Sequence, residues 1–142
     1  MIAIRPLSPS LGAEVLDFQL SSNPSAEAVA AVRALWGQHK LLLFRNQSVD
    51  EAALVGFSQQ FGALEIHVRE EYLSPEHPEI LYVSNIERDG RLIGILSDNE
   101  VGWHYDQIYL PQPAVGSLLM ADTLPPEGGN TEFADMCAAW DA

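Results

Sequence analysis

A His and an Asp separated by a single residue, His104-Tyr105-Asp106, share a face only where the backbone between them is extended. Strand side chains alternate with a period of two, so the pair predicts a strand through 103–109. An imidazole nitrogen and a carboxylate oxygen aimed the same way can grip one metal ion. They are two members of the 2-His-1-carboxylate triad, which leaves open positions on non-haem Fe(II). Four His and eight Asp in 142 residues supply about 0.2 His-x-Asp pairs by chance. The spacing alone is therefore weak, and a strand-end His beside a turn Asp is the plain alternative.

Charge narrows the function classes. A net charge of −13 argues against nucleic acid, whose phosphates need Lys and Arg, and against anionic membrane surfaces. Arg91 is the last basic residue, and positions 92–142 carry eight acids with no Lys or Arg. An anionic ligand near His104 must find its cation in the N-terminal half, on a metal, or outside this sequence. Cys137 is the only cysteine, so no intrachain disulfide forms and a reducing compartment fits. No apolar run approaches a signal peptide or a membrane span, and a cytoplasmic location is expected.

The first sixty residues read as scaffold. Short strands are expected at Ile2–Ile4 and over 11–15. Ser25 caps a helix running to Trp36, with Val29, Val32 and Trp36 as its apolar positions and Gly37 as its C′ residue. Lys40-Leu41-Leu42-Leu43-Phe44 reads as a buried strand. Asp50 caps a second helix with a Leu54, Phe57, Phe61 stripe, ended by Gly62. An acid- and proline-rich loop with His67 and His77 leads to a strand at 80–83. Asp89-Gly90 marks a hairpin, and a polar, mobile stretch at 97–102 precedes Trp103. Further strands are expected at 115–121 and 131–133, separated by the turn 124–129, and 134–142 reads as helix. That helix lacks a stop signal, so the chain is expected to be a fragment.

Taken in order, several segments are more specific than His-x-Asp. They are Leu11-Gly12-Ala13-Glu14-Val15, Phe44-Arg45-Asn46-Gln47, Phe61-Gly62 with His67 beyond, Trp103-His104-Tyr105-Asp106, and Thr123-Leu124-Pro125-Pro126-Glu127-Gly128-Gly129-Asn130-Thr131. Together they resemble the N-terminal half of a TauD/TfdA (taurine dioxygenase-like) family Fe(II)- and 2-oxoglutarate-dependent dioxygenase. The resemblance covers almost the whole chain. It implies a mostly β fold with flanking α, a double-stranded β-helix (jelly roll), incomplete in 1–142 because the C-terminal part is absent. It implies His104 and Asp106 as metal ligands, Thr131 as a hydrogen-bond partner of a 2-oxoglutarate carboxylate, and His67 as a contact to the substrate's anionic group. No catalytic residue beyond the metal ligands is implied. The reaction implied is hydroxylation of a small anionic substrate by O2, with 2-oxoglutarate decarboxylated to succinate. A homo-oligomer is compatible with it.

The sequence also departs from the family. No residue after Asp106 is His, Lys or Arg, so the family's second His ligand and its 2-oxoglutarate-binding Arg have no counterpart, and the segment alone is expected to be inactive and aggregation-prone. The taurine enzyme has a Tyr three residues after the matched His where this chain has Glu70, and 100–102 also differ. Sulfonates, alkyl sulfates and carboxylates all remain open as substrates. Two other readings compete with the oxygenase. One is a catalytically incomplete β-helix module that binds a small molecule or a partner. The other is a zinc hydrolase built on His104, Asp106 and His67.

Overall fold

The computed structural model describes residues 2–96 and 101–142. The chain divides into two units, Met1–Val49 with Leu119–Ala142, and Asp50–Leu118.

The first unit is built on a three-stranded sheet in the order β1-β2-β3. β1 (Ile4–Pro6) runs antiparallel to β2 (Ala13–Val15), and β2 runs parallel to β3 (Leu42–Phe44). Pro6 is tolerated because it ends an edge strand, where its missing N–H is not needed by a second neighbour. Between β1 and β2, Gly12 takes φ 86°. The Ser8 hydroxyl ties this loop together, accepting from Leu11 N at 2.8 Å and donating to Leu11 O at 2.6 Å. A parallel pair needs a long crossover, and α1 (Ala26–His39) lies within it. Ser25 caps α1, accepting from Ala28 N at 3.2 Å. The helix passes through Gly37, which was expected to end it, and stops at Lys40 in the left-handed region with φ 65°. Two contacts hold that end: Lys40 N donates to Trp36 O at 2.7 Å, and the Trp36 indole donates to Lys40 O at 3.1 Å.

β2 is buried on both faces, with Ala13, Glu14 and Val15 all below 7% exposure. The one charged member is neutralised by its neighbours. Arg5, directly opposite in register, donates from Nε to Glu14 Oε2 at 3.1 Å, and Arg45 Nε lies 3.5 Å from Oε1. A buried carboxylate is retained only when paired in this way. Gln47 closes the unit's loops with one amide, donating to Phe18 O and Arg45 O and accepting from Leu20 N, all at 2.8 Å. At the far end of the chain the expected helix is a short one, α3 (Met136–Trp140). Asp135 caps it through Cys137 N and Ala138 N, and its other oxygen receives Lys40 Nζ at 2.6 Å. Those donors hold Asp135 below the usual aspartate pKa, Lys40 first and then the Ala138 amide.

The second unit opens with α2 (Glu51–Ser58), capped by Asp50 accepting from Ala53 N at 2.7 Å. Phe57 is fully buried and stacks obliquely with Phe61, centroids 5.2 Å apart. The core position beside it is Val55 rather than Leu54, and the helix gives way to turns from Gln59, three residues before Gly62. A single 3-10 turn (Glu70–Tyr72) follows. Segment 80–83, expected as a strand, pairs too sparsely to be one, beginning with Ser74 N donating to Ile80 O at 2.9 Å. Tyr82 N donates to Tyr72 O, Ile95 N donates to Tyr82 O, and Leu73 bridges Leu81. The hairpin is where it was expected: β4 (Glu87–Arg88) and β5 (Arg91–Leu92) joined by Asp89 at φ 54° and Gly90 at φ 73°. Both turn residues are left-handed, as a type I′ turn requires.

The strands expected at 103–109, 115–121 and 131–133 are not formed among the described residues. A strand exists only while its N–H and C=O groups find ladder partners, and no described segment supplies them. Of the stretch expected to be mobile, 97–100 lies outside the described residues. Large apolar side chains in this region face solvent: Trp103, Ile108, Tyr109 and Val115 are each more than 60% exposed.

Glu51 links α2 to the segment beyond the loop. Its carboxylate accepts from Ser74 Oγ at 2.6 Å and from Tyr82 OH at 2.8 Å. The Ser74 bond, aided by Tyr82 and the charge of His77, outweighs burial and holds Glu51 below the ordinary glutamate pKa. A depressed carboxylate stabilises the fold above its unfolded pKa, and that stability is lost as pH falls through the folded value. Glu51→Gln is therefore expected to cost about 1 kcal/mol near pH 7, with the gap to wild type closing below about pH 4. Denaturant titrations of both chains at pH 7 and pH 3 check this, and an equal gap at the two pH values would contradict it.

Candidate metal centre

The side chains of His104 and Asp106 meet without a strand to carry them. Residues 106–109 form a turn, with Gln107 at φ 51° and Leu110 N donating to Gln107 O at 3.0 Å. His104 Nε2 lies 3.2 Å from Asp106 Oδ1, and both side chains are more than half exposed. Each has a second contact. His104 Nδ1 is 2.9 Å from Gly102 O, and Asp106 Oδ2 accepts from Ser117 Oγ at 2.7 Å.

These contacts fix the chemistry of the pair. A carbonyl oxygen can only accept, so His104 Nδ1 carries a proton and donates it. In a neutral imidazole Nε2 is then a bare lone pair, facing a carboxylate oxygen that is also an acceptor. Two acceptors at 3.2 Å call for a cation, either a second proton or a metal ion. Ligand atoms about 2.1 Å from an ion and at right angles around it lie about 3 Å apart. The observed separation suits two adjacent ligands. A metal-bound His also characteristically donates its other N–H to a carbonyl or carboxylate, and Gly102 O fills that role. The residues present therefore fit two positions of a metal centre. Among the described residues, no third His, Cys, Asp or Glu joins them in a group able to hold an ion.

The other expected site residues are placed separately. His67 is half-buried in the loop after α2, and its Nδ1 accepts from Arg69 N at 3.1 Å. Its neutral form thus carries Nε2–H, the opposite tautomer to His104. No described grouping unites it with His104 and Asp106, so the zinc hydrolase reading lacks its third ligand. Arg69 is engaged by Glu71 at 2.6 Å and by the face and hydroxyl of Tyr72. Thr131 is exposed in the other unit, after Gly128 at φ 71° and Gly129 at φ 67°. A Cβ at Gly129 would lie 2.8 Å from Pro125 Cγ, so turn geometry accounts for this glycine. Ser117 and the Gly102 carbonyl were not singled out in the sequence, since nothing local marks a Ser eleven residues from its carboxylate.

Comparison with known proteins decides the family. The model of the taurine catabolism dioxygenase TauD, TfdA family matches residues 3–142. The chain belongs to the TauD/TfdA family. An (S)-phenoxypropionate/alpha-ketoglutarate-dioxygenase of Sphingobium herbicidovorans is 33% identical over 98% of this chain and 47% of its own length. An alpha-ketoglutarate-dependent 2,4-dichlorophenoxyacetate dioxygenase of Cupriavidus pinatubonensis is 31% identical over 99% of this chain and 52% of its own. A taurine dioxygenase from Burkholderia xenovorans of known structure is 29% identical with a TM-score of 0.55, covering 61% of this chain and 31% of that one. The chain thus spans about half the length of the curated TauD/TfdA relatives it matches.

The two imidazoles give a direct check on this geometry. At pH 9, where imidazoles are neutral, two-bond proton–nitrogen NMR is expected to find His104 as the Nδ1–H tautomer and His67 as Nε2–H. The same tautomer at both positions would contradict it.

Proposed function

We propose that this chain is the N-terminal part of a single Fe(II)- and 2-oxoglutarate-dependent dioxygenase domain that hydroxylates a small anionic organic substrate. The observation that carries the reading is the His104–Asp106 pair, two acceptors 3.2 Å apart with their outer atoms already bonded, in a chain of the TauD/TfdA family. His104 Nε2 and Asp106 Oδ1 would hold the iron. The metal, when bound, supplies activation of O2, coupling decarboxylation of 2-oxoglutarate to succinate with hydroxylation of the substrate. The Thr131 hydroxyl would donate to a carboxylate of 2-oxoglutarate. His67, with Nδ1 occupied by Arg69 N, has Nε2–H to offer an anionic substrate group. The remaining His ligand and a cation for the far end of 2-oxoglutarate would come from sequence beyond these residues, as the half-length coverage of the relatives supports. The whole domain would be a double-stranded β-helix, in which that further sequence covers the exposed apolar side chains of 103–109 and 115–121.

For the substrate, a carboxylate of the aryloxyalkanoate kind is favoured over taurine. Relatives named for phenoxypropionate and 2,4-dichlorophenoxyacetate match at 33% and 31% identity, against 28% and 26% for relatives named for a sulfonate and a sulfate ester that are matched over as much of the chain. The protein is placed in the cytoplasm, where 2-oxoglutarate and reduced iron are available.

The test is succinate formation from 2-oxoglutarate by the native gene product, with Fe(II) and a 2-phenoxypropionate, in parallel with taurine. His104→Ala and Asp106→Ala are each expected to lower the rate beyond the roughly 100-fold reached by changes behind metal ligands. Thr131→Val is expected to raise the KM for 2-oxoglutarate about tenfold, the loss of one hydrogen bond. No iron-dependent succinate from the native product with either substrate would overturn the oxygenase and favour a binding module.

A further inference from the structure

We propose that Ser117 is a positioning residue for the metal site, holding Asp106 so that Oδ1 is the oxygen offered to the ion. This rests on the reading of His104 and Asp106 as metal ligands. A carboxylate has two equivalent oxygens and a broad, two-fold χ2. An exposed Asp on a turn can present either oxygen, or both in chelation. The Ser117 hydroxyl removes that freedom by donating to Oδ2 at 2.7 Å, a charge-assisted bond of ordinary length. The oxygen left over is Oδ1, and it is this atom that stands 3.2 Å from His104 Nε2. On the other ligand, Gly102 O plays the same part by fixing which imidazole nitrogen is bare.

The contact spans eleven residues of chain, so local geometry does not impose it. Between the partners run the 106–109 turn and Pro111 and Pro113, which reverse the chain and bring 114–117 back beside 105–106. Tyr105 OH reaches Ala114 O at 3.5 Å on the same return. Serine suits the role. Its hydroxyl needs only one χ angle fixed, and an alanine there would leave the backbone return untouched while freeing Oδ2. Ser117 is exposed, so its truncation is expected to spare the fold.

The test reads metal binding rather than turnover. Mn(II) is titrated into the native gene product, and the free ion is followed by its EPR signal. Wild type is compared with Ser117→Ala, Ser117→Thr, His104→Ala and Asp106→Ala, with far-UV circular dichroism alongside. Ser117→Ala is expected to weaken binding about three- to tenfold, at or below the low end for residues behind metal ligands because the site is exposed. Ser117→Thr keeps the hydroxyl and is expected to stay within about twofold of wild type. Wild-type affinity in Ser117→Ala, with loss in His104→Ala and Asp106→Ala, would overturn the role of Ser117 and leave the metal site standing. A threonine as weak as alanine would also overturn it. Equal binding by all five chains, or none by the wild type, would remove the metal site and the proposal with it.

Discussion

The 3.2 Å approach of His104 Nε2 to Asp106 Oδ1, which needs a proton or a metal ion between them, is the constraint on which the site depends. Each side chain is oriented by one further contact. The imidazole is held by Gly102 O on its far side, and the carboxylate by Ser117 on its other oxygen. A proton on Nε2 makes the contact an ion pair, and a metal ion can take that proton's place between the two atoms. Both side chains are more than half exposed, so water screens the contact.

The distribution of cations sets what else this chain can do. Of its seven basic residues, Arg5 and Arg45 neutralise Glu14, Lys40 binds Asp135, and Arg69 binds Glu71. Each pairing lies within one unit and serves the fold: the first satisfies a buried carboxylate in the central strand, the second ties a helix cap to the end of α1. The segment holding His104 and Asp106 has no Lys or Arg from position 92 onward. A dicarboxylate co-substrate needs a cation at each end, one of which the metal can provide. The other need is what makes half-length coverage of the relatives chemically meaningful, rather than a matter of alignment.

Local signals in the sequence translated well into structure. Ser25 and Asp50 cap the helices expected of them, because an N-cap depends on one side chain and an amide three residues on. Asp89-Gly90 makes its hairpin because both residues take positive φ, an equally local requirement. The end of α1 was misjudged because Gly37 signals a stop only if nothing beyond it holds the turn, and the Trp36–Lys40 contacts do. The strands expected after position 100 fail together, since a strand is a property of a pair and no described segment pairs with them. His104 and Asp106 were legible from chemistry, yet their reason for meeting was not the alternation of a strand. A turn and a distant serine bring them together. Glu14 was hidden for a related reason: nothing in Ala13-Glu14-Val15 says that two arginines, Arg5 on β1 and Arg45 just past the end of β3, await it.

The most direct test of the central claim, that His104 and Asp106 are two ligands of a centre completed by further sequence, is the intact mass of the protein purified from its source. These 142 residues weigh 15.6 kDa. With relatives about twice as long, the expected mass is about twice that, with a His and an Arg in the added sequence. A mass of 15.6 kDa would contradict the claim, because the chain would then have to bind metal and co-substrate with ligands it does not possess.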